Sequence, residues 1–100
     1  MKYEKAEILN YLRSNKEFYR DNFNIVKIGI FGSYSRDTQT GSSDIDIIFE
    51  FGEKTTNIFD KKYELRKQLS EHFKTNIDIC RERAIKSIFK ESILGEAIFV

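Results

Sequence analysis

The chain of 100 residues has no proline and no tryptophan, and it holds one cysteine, Cys80, and one histidine, His72. Without proline, no residue forces a break inside a helix or strand. One thiol cannot form an internal disulfide, and no signal-peptide pattern is present, so we expect a protein of the reducing cytoplasm. No apolar run approaches the roughly 18 to 20 residues that span a bilayer, so we expect no membrane contact.

The charges nearly cancel, since 17 Lys and Arg face 16 Asp and Glu for a formal net charge of +1. A protein that coats nucleic acid needs a basic surplus, so we do not expect direct nucleic-acid binding. The hydrophobic fraction of 40%, with nine Phe and five Tyr, indicates an aromatic-rich core. The length suits one domain, covering residues 1–100.

The hydrophobic pattern predicts a mixed α/β domain in which helices and strands alternate along the chain. The predicted helices cover residues 2–19, 57–73 and 83–94, with Gly95 ending the last one. The predicted strands cover residues 25–31, 45–51 and 76–80, and the closing segment AIFV is expected to add another. Gly32 and Ser33 break the first strand and are expected to start a short helical turn.

Side-chain alternation separates apolar and acidic residues on the predicted strands. In the second strand the residues that share the apolar face are Ile45, Ile47, Phe49 and Phe51. Asp44 and Asp46 point to the other side, and in the third strand Asp78 points away from its flanking isoleucines. In the first strand Val26, Ile28 and Ile30 share a face. We therefore predict a mixed sheet with helices on one face and three carboxylates on the other.

Three clustered carboxylates repel one another and raise each other's pKa, and a bound cation relieves that repulsion. Hard oxygen ligands suit Mg²⁺, which keeps some waters and completes its shell with substrate phosphates. Two ions could be bridged by Asp44 and Asp46, with Asp78 at the ion nearest a nucleophile. The alternative is that the two aspartates are only the solvated start of a strand.

Gly32 and Ser33 follow a strand directly and precede the predicted turn. Free backbone N–H groups and a serine hydroxyl can bind phosphate oxygens there, because glycine allows close approach. No Gly-Lys-Ser/Thr follows, so this is not a Walker A loop. Arg36 could reach a phosphate or could lie in solvent.

The order Gly32-Ser33, ten residues, Asp44-x-Asp46 matches the G-S-x10-D-x-D signature of the polymerase-β-like nucleotidyltransferases. With Arg36 after the Gly-Ser pair and Ser43 before the first aspartate, the chain most resembles the minimal nucleotidyltransferases. The segment NIDIC resembles that family's third-aspartate strand. Asp37 stands where many members have glycine, which we interpret as a change in loop conformation and not in chemistry.

The resemblance implies a polymerase-β-like nucleotidyltransferase fold and transfer of AMP from ATP to an acceptor hydroxyl. It assigns nucleotide binding to Gly32, Ser33, Arg36 and Ser43. Asp44, Asp46 and Asp78 would hold Mg²⁺, in two sites, and Asp78 would help deprotonate the acceptor. Minimal members commonly act as antitoxins that attach AMP to a tyrosine of a helical HEPN-type toxin, so a partner of that kind is expected.

Two other functions remain open from the sequence. The protein could be an antitoxin that neutralises its partner by binding alone, although the intact set of glycine, serine and aspartates argues against a decayed site. It could instead transfer a nucleotide to RNA or to a small molecule such as an aminoglycoside. Enzymes of that kind generally carry an added acceptor domain, for which 100 residues leave no room.

Overall fold

The computed structural model describes residues 3–40 and 43–100 as helices packed on one sheet. The helices in these residues are α1 (Lys5–Ser14), α2 (Lys16–Phe23), α3 (Gly32–Ser35), α4 (Ile58–Phe73) and α5 (Ser87–Glu96). The strands are β1 (Ile25–Phe31), β2 (Ile45–Phe51), β3 (Ile77–Arg81) and β4 (Ile98–Phe99). A 3₁₀ turn, Glu82–Ala84, follows β3. None of the helices in the described ranges is both long and apolar enough to cross a membrane.

The sheet has the strand order β3-β2-β1-β4 and is mixed, as predicted. β2 and β3 run parallel, while β1 is antiparallel to both β2 and β4. The closing segment does form a strand, since Ile98 pairs with Ile30 and Phe99 with Gly29. The two central strands, β1 and β2, are those that the sequence pattern predicted with the same bounds.

The core lies between one face of the sheet and the helices α1, α2 and α4. The helix residues that are buried there are Ile8, Leu12, Tyr19, Leu65, Leu69 and Phe73. The predicted apolar face of β2 is buried opposite them, with Ile45, Ile47 and Phe49 fully inaccessible. Each such aliphatic side chain contributes roughly 1.5 to 3 kcal/mol by leaving water. The prediction of helices on one face is confirmed for these three helices.

The predicted first helix, residues 2–19, is wrong as a single element, because Asn15 divides it into α1 and α2. The Asn15 side-chain nitrogen donates to the carbonyl of Tyr11 at 2.9 Å, and the Asn15 φ is −105°. Asparagine competes in this way with the regular helix hydrogen bonds. The helix pair then ends at Asn24, whose φ is +55°. Residue 2, the predicted start, lies outside the described residues.

Val26 is not on the core face with Ile28 and Ile30, contrary to the alternation prediction. The pairing of β1 with β2 shifts between Ile25 and Lys27, so a bulge adds one residue to β1. The bulge inverts the alternation before it. Ile25 is therefore buried in the core, and Val26 is 57% exposed.

The last predicted helix, residues 83–94, is also corrected. It begins at Ser87, after the 3₁₀ turn, and continues through Gly95 to Glu96. None of its residues is buried, and Ile88 is 80% exposed. α5 contacts α3 and β1 and does not join the helix layer over the core. Helical spacing of apolar residues thus predicted the helix correctly but not its burial.

Candidate active site

Two of the predicted acidic residues face each other across neighbouring strands. The parallel register of β2 and β3 pairs Asp46 with Asp78, and it pairs the flanking isoleucines on the core side. Both aspartates therefore point to the face opposite the core. Asp44 precedes β2 and is exposed. The charge of Asp44 acts on Asp46, so the three acidic residues lie in one region, and the alternation prediction is confirmed for Asp46 and Asp78.

The carboxylates interact unfavourably, as expected for like charges. Burial, and then the charges of Asp78, Asp44 and Glu96 in that order, together raise the pKa of Asp46 to about 6. The positive charge of Arg36 opposes these effects without cancelling them. The protein by itself therefore does not supply enough positive charge near Asp46 to stabilise its ionised form.

The donor set of this region fits Mg²⁺. In residues 3–40 and 43–100, no three acidic, histidine or cysteine side chains lie close enough to form a ready metal site. Mg²⁺ usually retains waters and uses only one or two protein carboxylates with substrate phosphates, so it does not require such a cage. The mutual repulsion at Asp46 is the observation that matches a bound cation.

Gly32 brings backbone directly against Asp46. It follows β1, whose last residue Phe31 pairs with Asp46 across the sheet. Its φ is +73°, and a Cβ atom at this position would lie 2.0 Å from Oδ2 of Asp46. A larger residue would be strained at this φ and would displace the Asp46 carboxylate, so glycine suits both the turn and the close approach.

Glu96 accepts hydrogen bonds from two of the groups that were predicted to bind phosphate. The Gly32 N–H donates to Oε1 of Glu96 at 3.0 Å. Arg36 donates from Nη1 to Oε2 at 2.6 Å. Glu96 was not predicted as a site residue. It is the one charged residue in the apolar segment ILGEAIFV, and this position could have indicated a functional role.

The two predicted serines are placed differently. The Ser33 hydroxyl makes no hydrogen bond to another residue of the described chain, while its carbonyl accepts from the Thr38 N–H at 2.9 Å. The Ser43 hydroxyl accepts from the Thr40 N–H at 2.8 Å, and the Ser43 N–H donates to the Thr40 carbonyl at 3.1 Å. Ser33 is thus available to a ligand, whereas Ser43 is bound to Thr40 just before Asp44.

Asp37 adopts a φ of +58°, the left-handed conformation that glycine adopts without strain. Aspartate is one of the few other residues that tolerate this region. Its carboxylate also pairs with Lys5 at 2.8 Å. Glycine adopts this backbone conformation as well, and the expected change in loop conformation stays a prediction.

Glu50, which the sequence analysis did not single out, lies on the same strand as Asp46 but serves a different purpose. Its carboxylate accepts from Arg81 Nη2 at 2.8 Å and from the Arg83 N–H at 2.8 Å. Burial alone would raise its pKa, but the hydrogen bonds from Arg81, Arg83 and Phe51 outweigh burial and lower it. A carboxylate bound this fully is structural.

The remaining polar candidates have no catalytic arrangement. His72 stacks its ring on Tyr11 with centroids 3.7 Å apart. Burial and then the charge of Asp78 raise the pKa of the Cys80 thiol, which disfavours the nucleophilic thiolate.

Comparison with known proteins identifies the family. Residues 13–100 match the family described as "Polymerase beta, Nucleotidyltransferase". A Methanocaldococcus jannaschii protein assigned as a protein adenylyltransferase is 38% identical over 96 residues, which are 95% of this chain and 96% of the relative. The protein adenylyltransferase MntA of Thermococcus cleftensis is 31% identical over 94 residues, 94% of this chain and 93% of that protein.

Solved structures show the same fold. A structure described as a minimal nucleotidyltransferase superposes with a TM-score of 0.76 at 26% identity, covering 96% of this chain and 95% of the other. A toxin–antitoxin structure with AMP-PNP superposes with a TM-score of 0.67 at 25% identity, covering 97% of this chain and 72% of that one. The resemblance inferred from the sequence is thereby confirmed. The chain belongs to the polymerase β nucleotidyltransferase family.

Proposed function

We propose that this protein transfers AMP from ATP to a hydroxyl of a partner protein, a tyrosine of a HEPN-type toxin, and acts as the antitoxin of that partner. The observation that carries the proposal is the pairing of Asp46 with Asp78, with the Gly32 backbone packed against Asp46. Supporting it, the Thermococcus cleftensis relative is named a protein adenylyltransferase, and one neighbour is a toxin–antitoxin structure with AMP-PNP.

The nucleotide is bound by the turn after β1. The Gly32 N–H and the Ser33 hydroxyl donate to phosphate oxygens, and the Arg36 guanidinium neutralises part of their charge. Arg36 already faces this region, since its charge acts on Asp46. Ser43 contributes by its hydrogen bond with Thr40, which holds the residue just before Asp44.

Asp44, Asp46 and Asp78 would hold Mg²⁺ in two sites, and the ions would supply charge neutralisation at the phosphates and a lower pKa for the acceptor hydroxyl. Through the ions that they would hold, Asp44 and Asp46 orient the α-phosphate. Asp78, exposed on the neighbouring strand, receives the acceptor proton. The acceptor oxygen forms a bond to the α-phosphorus, while the bond from this phosphorus to the α,β-bridging oxygen breaks. Pyrophosphate carries away the bonding electrons.

The test is transfer of label from α-³²P-ATP, with Mg²⁺, onto the HEPN-type protein encoded by the neighbouring gene. We expect label with the wild type and a loss of at least about 100-fold with the Asp44→Asn/Asp46→Asn variant, because charge stabilisation at the phosphate is removed. Asp21→Asn/Asp60→Asn, which alters two exposed aspartates outside the site, is the matched control.

Equal labelling by the wild type and the double variant would contradict the site assignment. A stable complex of the two proteins without label would indicate an antitoxin that acts by binding alone. Label on RNA in place of the protein would assign a different acceptor.

A further inference from the structure

Glu96, the last residue of α5, joins two groups that the proposed function assigns to the nucleotide. One carboxylate oxygen accepts from the Gly32 N–H at 3.0 Å, and the other accepts from Arg36 at 2.6 Å. The Glu96 side chain is only 22% exposed, so this contact is partly shielded from water. A single carboxylate therefore binds both donors in the way that a phosphate group would.

The charge of Glu96 makes its position incompatible with a bound triphosphate. A backbone N–H donates one full hydrogen bond, so the Gly32 N–H cannot serve both Glu96 and a phosphate oxygen. Glu96 also interacts repulsively with Asp46, so the region already holds excess negative charge. Like charges brought together at a binding surface oppose binding.

We propose that Glu96 is a further residue of the nucleotide site, which holds the Gly32 N–H and Arg36 in the free protein and is displaced from both by the triphosphate. This inference rests on the nucleotide site of the proposed function. The carboxylate keeps the two donors oriented toward an anion while no nucleotide is present. The cost is a competition that weakens nucleotide binding.

The test compares the affinity of the full chain for AMP-PNP with Mg²⁺, measured by isothermal titration calorimetry. Glu96→Gln keeps the size of the side chain but removes its charge. We expect its Kd to fall about fivefold to tenfold below that of the wild type, because the competing anion is lost. The control is Glu91→Gln, an exposed residue of the same helix with the same change in charge, whose Kd should match the wild type.

A second measurement on the wild type avoids dependence on the folding of the variant. The side-chain carboxyl ¹³C resonance of Glu96 should shift when AMP-PNP is added, and that of Glu91 should not. An unchanged Glu96 resonance at saturation overturns the proposal. If the wild type binds AMP-PNP and the Glu96→Gln variant has an equal or larger Kd, the proposal is also overturned. If the wild type binds no AMP-PNP, both the proposal and the nucleotide site are overturned.

Discussion

Two carboxylates of β2 show how neighbours decide the behaviour of one residue type. Asp46 is surrounded by other acids, and burial together with Asp78 raises its pKa to about 6. Glu50, four residues on, is the more buried, yet the Arg81 guanidinium and two backbone N–H groups lower its pKa. Hydrogen-bond donors satisfy the Glu50 carboxylate, which is therefore structural. The Asp46 carboxylate lacks sufficient nearby positive charge and is therefore suited to bind a cation.

Replacing Asp46 by Asn should stabilise the metal-free protein at neutral pH. A raised folded-state pKa contributes stability that is present below pH about 4 and is lost as the pH rises through about 6. Asparagine does not ionise, so Asp46→Asn avoids that loss. In EDTA at pH 8 we expect its melting temperature to rise by about 4 to 8 °C, which corresponds to ~1 kcal/mol. Thermal melts monitored by circular dichroism measure this.

The same melts at pH 4 should show little difference between Asp46→Asn and the wild type, since both then carry a neutral side chain. Asp21→Asn, on the exposed surface of α2, should show no comparable gain at either pH. A wild type that is the more stable protein at pH 8 would contradict the repulsion described for the site.

Replacing Glu50 by Gln should destabilise the protein with the opposite pH dependence. A lowered pKa contributes stability above the ordinary Glu value, and this stability is lost as the pH falls through the folded-state pKa. We expect Glu50→Gln to lower the free energy of unfolding at pH 7 by about 2 kcal/mol, because charge-assisted hydrogen bonds are lost. Urea unfolding at pH 7 and pH 3 measures the change, which should shrink at the lower pH.

Glu53→Gln is the matched control for Glu50, because Glu53 is exposed just beyond the same strand. Its free energy of unfolding should stay within about 0.5 kcal/mol of the wild type. Equal effects of the two substitutions would argue against a structural role for the Glu50 network.

At the scale of elements, the sequence predicted the presence of each helix and strand better than it predicted where the element ends or which of its residues are buried. The two central strands and α4 follow from clear apolar periodicity, and the core positions predicted for the two strands are buried except for Val26. Asn15 and the bulge after Ile25 were not predicted, because each depends on a local competition between hydrogen-bond patterns. The apolar periodicity of α5 suggested a buried face, but its neighbours, α3 and β1, leave Ile88 and Phe89 exposed.

The loop after α3 offers a test of what holds Asp37 in the left-handed conformation. Asp37→Ala should lower the free energy of unfolding by about 1 kcal/mol, because alanine is strained at a φ of +58°. Asp37→Gly should cost nothing, since it relieves strain while losing an exposed ion pair worth about 0 to 1 kcal/mol. Urea unfolding of both variants measures the difference.

Asp37→Asn separates the two effects, because asparagine tolerates the left-handed conformation but cannot pair with Lys5. It should lie between the wild type and Asp37→Ala. An Asp37→Asn protein as unstable as Asp37→Ala would show that the ion pair and not the backbone decides this position.

At the scale of the whole molecule, the site is assembled from distant parts of the chain. Gly32 begins α3 directly after β1, Asp46 lies on β2, Asp78 lies on β3, and Glu96 ends α5 near the end of the sequence. The parallel pairing of β2 with β3 is the decisive step, because a different strand order would separate the two aspartates.

Mg²⁺ should therefore stabilise the folded molecule by neutralising acids that only the fold brings together. At a Mg²⁺ concentration ten times its Kd, linkage predicts a gain of about 1.4 kcal/mol for the wild type. The Asp44→Asn/Asp46→Asn variant should gain nothing, and EDTA should reverse the wild-type shift. Differential scanning fluorimetry measures these shifts, and an equal Mg²⁺ effect on both proteins would contradict the assignment.

The sequence by itself determined the mixed α/β class, the apolar faces of β2 and β3, and the spacing from Gly32 to Asp46 that is typical of the family. These are local properties, because strand alternation and turn chemistry depend on neighbouring residues. The tertiary structure alone decided that Asp46 pairs with Asp78, that Glu96 binds the Gly32 N–H and Arg36, and that α5 stays outside the core. Those features depend on contacts between residues far apart in the chain, whose register and charge balance no local pattern encodes.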